Sequence, residues 1–215
     1  MAAQGNEENT VKEEIDVVVF DLNGTFYNKS SKDEFFKFVS TKKPKQSKHI
    51  FQMAYYQLLH KLNQINKTEF KENFFNYLDD LPPKQVEQYA QEFWEQEFPV
   101  NFNKELQKRL DDMKKKGIKI ICATGALELY VKPLLQLYKI DGLVGTRVQY
   151  EVNTYKVLGQ ACKDEEKLNR ISSLLNGRKY NILEAYSDSK EAILDKAHKA
   201  YLVEDGKISP YKQNS

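Results

Sequence analysis

The sequence predicts an α/β protein with a doubly wound, parallel β-sheet and a helical insert in its first half. Three observations support this prediction. A continuous apolar run at residues 17–20 is followed by Asp21, residues 31–99 show helical periodicity only, and strands and helices alternate from residue 104 onward. Alternation of strands and helices is typical of a parallel sheet that is covered by helices on both faces.

The first predicted strand is residues 16–20, which read DVVVF. Its apolar residues follow one another without alternation, as in a strand in the middle of a parallel sheet with both faces buried. The preceding residues, 1–14, are polar and acidic, contain no apolar leader segment and are expected to be disordered. The folded core is therefore expected to begin with this strand, which ends at Asp21.

Residues 31–99 carry apolar side chains at helical spacing and no strand pattern, which predicts an insert of roughly four short helices. Pro82 and Pro83 end the second group of apolar positions, because proline cannot continue a helix. The three groups are Phe51, Tyr55, Leu58, Leu59, Leu62 and Ile65, then Phe70, Phe74, Tyr77, Leu78 and Leu81, then Val86, Ala90, Phe93 and Trp94.

Strands and helices alternate after the insert. The predicted elements are a helix at 104–116 that ends at Gly117, a strand at 118–123, a turn at Thr124 and Gly125, a helix to about residue 138, a short strand near 143–144, an extended segment at 148–152, a helix at 164–175, a strand at 180–185, a helix after Asp188, and a closing strand at 200–203. The chain thus divides into a core of residues 15–30 and 100–208, a helical insert of residues 31–99, and a tail of residues 209–215 that is expected to be disordered.

Composition excludes several classes of function. Thirty-three basic and 31 acidic residues give a net charge of +2, which offers no electrostatic reason to expect nucleic-acid binding. No apolar run is long enough to span a bilayer. The only cysteines, Cys122 and Cys162, have no metal-site spacing, so a reducing, cytoplasmic location is expected. A lysine cluster at residues 42–48 is interpreted as a solvated loop, with contact to an anionic lipid or phosphate as the alternative.

Polar residues follow three of the predicted strands. The first strand is followed by Asp21-Leu-Asn-Gly-Thr25, the second by Thr124 and Gly125, and a later one by Ser187-Asp188-Ser189. A single aspartate after a strand is usually a helix cap. Three polar strand ends in an open parallel sheet are a stronger signal, because the carboxyl ends of such strands form the ligand site.

These segments resemble the motifs of the haloacid dehalogenase-like superfamily. DVVVFDLNGTFY resembles its first motif, usually Asp-x-Asp-Gly-Thr, CATGA resembles its second motif, and YSDS resembles its acidic fourth motif. GQACKDEEKLNRI is similar to the stretch that precedes the third-motif lysine in the phosphoserine-phosphatase-like branch, which includes lipid-phosphate phosphatases of the phosphatidylglycerophosphatase C type. The resemblance extends over residues 16–203, and it implies a Rossmann-like core whose helical insert is a cap over the active site.

The resemblance also implies an enzyme that hydrolyses a small phosphomonoester. Asp21 would attack phosphorus to form an aspartyl-phosphate. Mg²⁺ would be held by Asp21, the backbone carbonyl of Asn23 and the carboxylate of Asp188, and it would neutralise the phosphoryl charge.

The remaining site residues implied by the resemblance bind the phosphoryl group. Thr124 would supply a hydroxyl, and nearby backbone N–H groups at the start of a helix, with Gly125 among the residues involved, would bind phosphate oxygens. Lys167 would pair with Asp21 and with the phosphate as a fixed cation. Lys156 is the alternative third-motif lysine, although it lies in an extended region rather than at the start of a helix.

Two positions depart from the family pattern. Asn23 replaces the aspartate that acts as general acid and base, a loss that typically lowers the rate about 10²- to 10⁴-fold. Ala192 stands where a second acid is usual, and Glu191 is one position early. The chain is therefore expected to be a slow hydrolase. The alternatives are a degenerate member that only binds a phosphorylated ligand or partner, and an enzyme with phosphonatase or phosphotransfer chemistry. An Asn23 introduced to trap the phosphorylated state is a further alternative, which leaves Ala192 unexplained.

The aromatic residues of the insert have two interpretations. Either they line the substrate pocket or they hold the cap helices together. They are Phe35, Phe36, Phe38, Tyr55, Tyr56 and Trp94. Polar residues interrupt the apolar pattern of residues 51–65, so membrane contact through the cap is only weakly indicated. The sequence names neither the substrate nor the oligomeric state.

Overall fold

β1 (Ile15–Phe20) lies in the middle of a six-stranded sheet, as its unbroken apolar sequence predicts. The computed structural model of the protein describes residues 14–211, without the side chains of Gln46 and Ser47. The strand order is β3-β2-β1-β6-β7-β8. The other strands are β2 (Lys119–Leu127), β3 (Gly142–Thr146), β4 (Val148–Glu151), β5 (Thr154–Val157), β6 (Tyr180–Ser187), β7 (Lys199–Glu204) and β8 (Lys207–Pro210).

The strands of this sheet are parallel apart from β8, which pairs antiparallel with β7. The predicted doubly wound parallel sheet is therefore confirmed, with an antiparallel edge strand that the sequence did not indicate. β8 contains Ser209 and Pro210, which were expected to belong to a disordered tail, so the folded part extends further than predicted. Residues 1–13 and 212–215, the rest of the segments expected to be disordered, lie outside the described residues.

The helices occupy the predicted regions. They are α1 (Ser31–Lys42), α2 (Ile50–Lys61), α3 (Lys67–Phe74), α4 (Pro83–Glu97), α5 (Lys104–Lys115), α6 (Glu128–Val131), α7 (Leu134–Tyr138), α8 (Glu165–Leu174) and α9 (Ala192–Lys196), with 3-10 helices at Pro44–His49 and Phe75–Leu78. The single helix expected to reach residue 138 is divided into α6 and α7 around Pro133, whose ring is incompatible with a helix interior.

The register of the sheet brings the motif-bearing strand ends together. Phe20, the last residue of β1, is level with Cys122 on β2 and with Tyr186 on β6. Asp21 and Asp188 therefore emerge at the same edge, beside the middle of β2. Thr124 and Gly125 were predicted to form a turn, but they lie within β2, which continues to Leu127 after an irregularity in its pairing with β3. This prediction was wrong because the apolar residues Ala126 and Leu127 extend the strand.

The side chains of β1 alternate between two apolar clusters, one on each face of the sheet. Val17 and Val19 belong to the cluster that includes α8 and α9, whereas Phe20 belongs to the one shared with the cap helices. Both clusters are buried, which explains why the strand carries no polar residue between Val17 and Phe20. The sheet thus forms a rigid base under the strand ends.

The helical insert of residues 31–99, called the cap below, contacts the rest of the chain on two sides. On one side the indole N–H of Trp94 donates a hydrogen bond of 2.6 Å to the carbonyl of Tyr130 on α6. On the other side the hairpin β4–β5 contacts the cap, where the Tyr155 hydroxyl donates to the Leu81 carbonyl at 2.7 Å. The Val157 N–H also donates to the Glu72 carboxylate at 3.0 Å. These bonds hold the cap over the sheet edge.

The apolar face predicted for residues 51–65 is largely exposed. Phe51 is 83% exposed and Tyr55, Leu58 and Leu62 are each more than half exposed, while Met53 is the buried residue of α2. The described part of the chain contains no helix with the length and apolarity needed to cross a membrane.

Candidate functional site

Asp21 lies directly after β1, and a hydrogen bond holds both its backbone and its side chain. Its backbone N–H donates to the carbonyl of Tyr186 at 2.8 Å, which continues the pairing of β1 with β6. Its Oδ1 accepts a 2.8 Å hydrogen bond from Nζ of Lys167. Because the side chain is nearly buried, this ion pair fixes the direction of the carboxylate.

Lys167, on the first turn of α8, is a buried cation with two carboxylate partners. It is 1% exposed, and its Nζ lies 2.8 Å from Asp21 and 2.5 Å from Oε2 of Glu191. Burial lowers the pKa of Lys167, but the charges of Asp21 and Glu191 outweigh burial and hold that pKa above its usual value. Lys156, the alternative, is exposed on β5 in the hairpin and does not line the cavity at Asp21.

Glu191, the acid one position before Ala192, is a partner of Lys167. It directly precedes α9, and its Oε2 accepts hydrogen bonds from Lys167 and, at 3.3 Å, from the hydroxyl of Ser187. Burial raises the pKa of its carboxyl, and the charge of Lys167 opposes part of that rise. A glutamate side chain is one methylene group longer than an aspartate side chain, and Glu191 reaches Lys167 from one position earlier in the sequence.

We predict that Lys167→Met lowers the free energy of unfolding by about 3–5 kcal/mol, because removing one member of a buried ion pair leaves uncompensated charge. Here two carboxylates, those of Asp21 and Glu191, lose their cation. Chemical denaturation measures the change. Lys156→Met, which removes an exposed lysine, is the matched control and should alter stability by less than about 0.5 kcal/mol. Equal effects of the two substitutions would contradict the prediction.

The side chain of Asn23 is oriented by the cap. Its Oδ1 accepts a 2.8 Å hydrogen bond from the backbone N–H of Ser31, the first residue of α1. An N–H at the start of a helix has no partner within the helix, so Asn23 supplies one from the core. An aspartate at this position would accept the same bond and would be favoured by the helix dipole. The geometry at Asn23 is thus compatible with the usual family residue.

Asp188 lies against the loop that follows Asp21. A side chain at Gly24, whose φ is +70°, would place its Cβ 2.6 Å from Oδ2 of Asp188, so this close approach requires glycine. Burial and, after it, the negative charge of Asp21 raise the pKa of Asp188. Two carboxylates that repel each other at the strand edge, one buried and one exposed, fit a hard divalent cation.

The residues implied as Mg²⁺ ligands therefore fit the ion as a small donor set. The carboxylates of Asp21 and Asp188 and the backbone carbonyl of Asn23 would hold it, with waters completing the coordination, as is usual for Mg²⁺. Within residues 14–211 no group of three or more His, Cys, Asp and Glu side chains is arranged as a metal cluster. A site of two carboxylates and one carbonyl does not require such a cluster.

Thr124 and Gly125 are placed differently from each other. The Thr124 hydroxyl is buried, accepts a 3.2 Å hydrogen bond from the Ala126 N–H and does not line the cavity. Gly125 does line it, and a Cβ there would meet Cε of Lys163 at 3.2 Å. Gly125 and Asp21 therefore line the same cavity. Thr124 does not line it, although the next residue in the chain does.

A cavity of about 520 Å³ lies between this edge of the sheet and the cap. Asp21, Asn23 and Asp188 line its core side. Its aromatic residues are Phe70, Phe75 and Tyr130. None of the six aromatic residues suggested by the sequence lines it. Phe35, Phe36 and Trp94 are buried instead, and Phe38 and Tyr56 pack partly buried against the same apolar cluster, so a packing role is the one observed for these five. Tyr55 is exposed.

Five lysines also line the cavity, and the sequence analysis did not identify them as site residues. They are Lys32, Lys61, Lys67, Lys71 and Lys163. Four belong to the cap and Lys163 belongs to the core. Scattered lysines on amphipathic helices are usually solvated, so only the position of the helices relative to the sheet shows that these residues converge.

Comparison with known proteins supports the resemblance seen in the motifs. The sequence model of the haloacid dehalogenase-like hydrolase family matches residues 18–191. No curated protein sequence matches the chain.

Solved structures share the fold at low sequence identity. A protein of unknown function from Bordetella pertussis Tohama I has a TM-score of 0.74 at 15% identity, covering 87% of this chain and 89% of its own. A phosphoserine phosphohydrolase-like protein from Francisella tularensis subsp. tularensis SCHU S4 has a TM-score of 0.60 at 17% identity, covering 86% of each chain. A substrate-bound phosphoserine phosphatase has a TM-score of 0.55 at 14% identity, covering 88% of this chain and 85% of its own.

The family match and the sheet topology agree with each other. The matched region includes the second half of β1, the whole cap, β2, α8 and the strand end at Asp188, so it covers every residue described at the cavity. The chain belongs to the haloacid dehalogenase-like hydrolase family.

Proposed function

We propose that the protein is a Mg²⁺-dependent phosphomonoester hydrolase that works through an aspartyl-phosphate on Asp21. The observation that supports the proposal most strongly is a buried ion pair. Nζ of Lys167 lies 2.8 Å from Oδ1 of Asp21, at the edge of the sheet where Asp188 also lies. A buried lysine between two carboxylates costs desolvation free energy. Its presence beside a cavity therefore supports a role in chemistry as well as in folding.

Asp21 is the nucleophile in this proposal. Its Oδ1 accepts the hydrogen bond from Lys167, which leaves Oδ2 to attack phosphorus. The new Oδ2–P bond forms as the bond from phosphorus to the leaving oxygen breaks, and water then attacks the phospho-enzyme to release inorganic phosphate and regenerate Asp21. The ammonium of Lys167 offsets the negative charge that the carboxylate and the phosphoryl group bring together.

Mg²⁺, when bound by Asp21, Asp188 and the Asn23 carbonyl, supplies Lewis-acid neutralisation of the phosphoryl oxygens. Two contacts of the loop that follows β1 place these ligands near one another. Gly24 lets the loop approach Asp188 closely, and the 2.8 Å bond from Ser31 to Asn23 ties the same loop to the cap.

Asn23 makes the two half-reactions unequal. An amide neither protonates the leaving oxygen nor activates water, so only leaving groups that depart without a proton should react readily in the first step. The second step requires water activation for every substrate. The phospho-enzyme should therefore accumulate with an aryl phosphate, which gives a burst of aryl alcohol before slow steady turnover.

We predict that Mg²⁺ stabilises the protein and that Asp188→Asn removes this effect. At about 100 times its Kd, a bound ion adds roughly 2.7 kcal/mol to stability, or about 5–10 °C in the melting temperature for a chain of this size. Thermal denaturation with and without MgCl₂ measures the shift. Asp195→Asn, which changes an exposed aspartate of α9, is the control and should retain the full shift. Retention of the shift in Asp188→Asn would remove this residue from the metal site.

The pH dependence of the Mg²⁺ effect follows from Asp188. Its raised pKa means that the charged form is disfavoured in the metal-free folded protein. Since Mg²⁺ needs the charged form, its affinity should fall as the pH drops through that raised value. The Mg²⁺-dependent rise in melting temperature should therefore be smaller at mildly acidic pH than at neutral pH. An effect of equal size at both would contradict the assignment.

The second candidate function is binding of a phosphorylated ligand without turnover. Asn23 favours it, because an amide cannot act as a general acid or base and its oxygen is already occupied by the Ser31 N–H. Retained phosphate binding together with no turnover, before and after Asn23→Asp, is the result that would select this function.

We place the activity in a reducing compartment such as the cytoplasm. Cys122 and Cys162 are both buried and free, which supports this location.

A further inference from the structure

We propose that the natural substrate carries a second phosphoryl group, bound at the cap side of the cavity by Lys71 together with Lys32 and Lys163. This inference rests on the hydrolase function proposed above and names the class of substrate, a small bisphosphorylated compound. The three lysines come from three separate elements, namely α3, α1 and the segment that precedes α8. They meet at the same cavity.

Lys71 is the central residue of this subsite. It is 8% exposed, lines the cavity, and has neither an ion pair nor a hydrogen-bond partner among the described residues. Burial and, after it, the charges of Lys163 and Lys32 lower the pKa of Lys71 to about 7. Asp21 acts on Lys71 in the opposite direction, but more weakly than either lysine. An ammonium in this position lacks an anion.

Lys32 is paired only with an acid that does not line the cavity, and Lys163 is unpaired among the described residues. Lys32 pairs at 2.9 Å with the partly exposed Asp33 and lies 4.6 Å from the ring centre of Phe74, which directs its side chain along the cavity wall. Lys163 has no ion pair among the described residues, and it passes close to Gly125. A group of like charges of this kind destabilises the folded protein until an anion binds.

Among the described residues, the acids that line the cavity form no ion pair with these three lysines. Asp21 and Glu191 both accept hydrogen bonds from Lys167, and Asp188 faces Gly24 at the proposed metal position. The reacting phosphoryl group at Asp21 is already provided with a cation by Lys167. The cavity volume of about 520 Å³ lies within the range of small-ligand sites and exceeds what one phosphoryl group requires.

A phosphoryl group fits the subsite better than a carboxylate does. It carries nearly two negative charges at neutral pH and presents three acceptor oxygens, whereas a carboxylate carries one charge and two oxygens. Lysine ammonium groups are point charges that can converge on such a group from different directions. Lys71 from the buried side, Lys32 from α1 and Lys163 from the core provide this arrangement.

The test compares 1,3-propanediol bisphosphate with propyl phosphate by calorimetric titration of the full chain in the presence of Mg²⁺. We expect the bisphosphate to bind roughly 10- to 100-fold more tightly, as one or two charge-assisted hydrogen bonds would provide. Lys71→Met should remove most of this preference. Lys84→Met, which removes an exposed lysine of α4 on the same cap, should retain it. Equal binding of the two compounds to the unaltered chain would overturn the proposal.

Two further outcomes would also overturn it. If Lys71→Met weakened the binding of both compounds by the same factor, Lys71 would bind the reacting phosphoryl group and not a second one. If 3-phosphonooxypropanoate bound as tightly as the bisphosphate, the second group would be a carboxylate.

The same variant separates a binding role from a structural one. Because Lys71→Met removes a buried charge without a partner, the melting temperature should stay unchanged or rise, and a fall of several degrees would mark Lys71 as structural and overturn the proposal. Titration does not require turnover. Preferential bisphosphate binding with no phospho-enzyme would therefore reject the hydrolase function and leave the two-anion site standing.

Discussion

Replacing Asn23 with aspartate is expected to raise the steady-state rate of phosphomonoester hydrolysis by about 10²- to 10⁴-fold, the usual contribution of a positioned general acid–base. The new carboxyl group would protonate the leaving oxygen in the first half-reaction and activate water in the second. The substitution should be tolerated, because aspartate can accept the 2.8 Å hydrogen bond from the Ser31 N–H that asparagine accepts now. Hydrolysis of an alkyl and an aryl phosphate with Mg²⁺ measures the gain.

The two substrates are expected to respond differently. An alkyl phosphate needs a proton for its leaving group, so its rate should increase more than that of the aryl phosphate in the first half-reaction. Asn28→Asp, the same change at an exposed position of the same loop, is the control and should leave both rates unchanged. No gain from Asn23→Asp would show that the site lacks more than its acid–base and would favour the binding function.

Replacing Asp21 with asparagine is expected to abolish turnover, with a loss on the order of 10⁴-fold or more, as for the removal of other covalent nucleophiles. Asparagine preserves the shape of the side chain and can still accept a hydrogen bond from Lys167, but its amide cannot form an acyl phosphate. The rate of aryl phosphate hydrolysis should be compared between Asn23→Asp and the double variant that also carries Asp21→Asn. The faster parent gives the largest measurable range of rates.

Asp16→Asn is the matched control for Asp21→Asn. Asp16 lies on the same strand, but its side chain is exposed at the far end from the cavity. This control should hydrolyse the aryl phosphate at the rate of its parent protein. Hydrolysis by Asp21→Asn at the rate of the control would remove Asp21 from the mechanism.

The fold was predictable because its strongest signals are local. The unbroken apolar run of β1 predicts burial on both faces, and the alternation after residue 104 predicts a parallel sheet. The polar strand ends at Asp21 and Asp188 then fall at the same edge through the register of β1 with β6. The sequence placed Thr124 and Gly125 in a turn, since hydroxyl residues and glycine are common there, but strand pairing continues past them.

The details of the site depend on contacts that sequence spacing does not encode. Glu191 was one position away from the expected acid, and only the extended backbone before α9 and the extra methylene group bring its carboxylate to Lys167. Lys71 resembled an ordinary surface lysine next to Phe70. It becomes a buried, unpaired cation only when α3 is docked against β5 and the segment before α8.

The burial of the apolar face of α2 was also not determined by sequence spacing. Helical spacing correctly indicated a helix, and Phe51 and Leu58 were placed on one face of it. That face points away from the cap core in the structure, where Met53 provides the buried contact. Periodicity identifies a shared face of a helix but does not determine whether that face meets a partner.

Peptide mapping by mass spectrometry after rapid mixing with an aryl phosphate and Mg²⁺ tests the proposed mechanism most directly. We expect the unaltered chain, which has Asn23, to gain the mass of one phosphoryl group on the peptide that contains Asp21. Asp21→Asn should gain none, and in Asn23→Asp the phosphorylated form should disappear faster. Turnover without a phosphorylated protein, or a phosphoryl group on a residue other than Asp21, would contradict the mechanism.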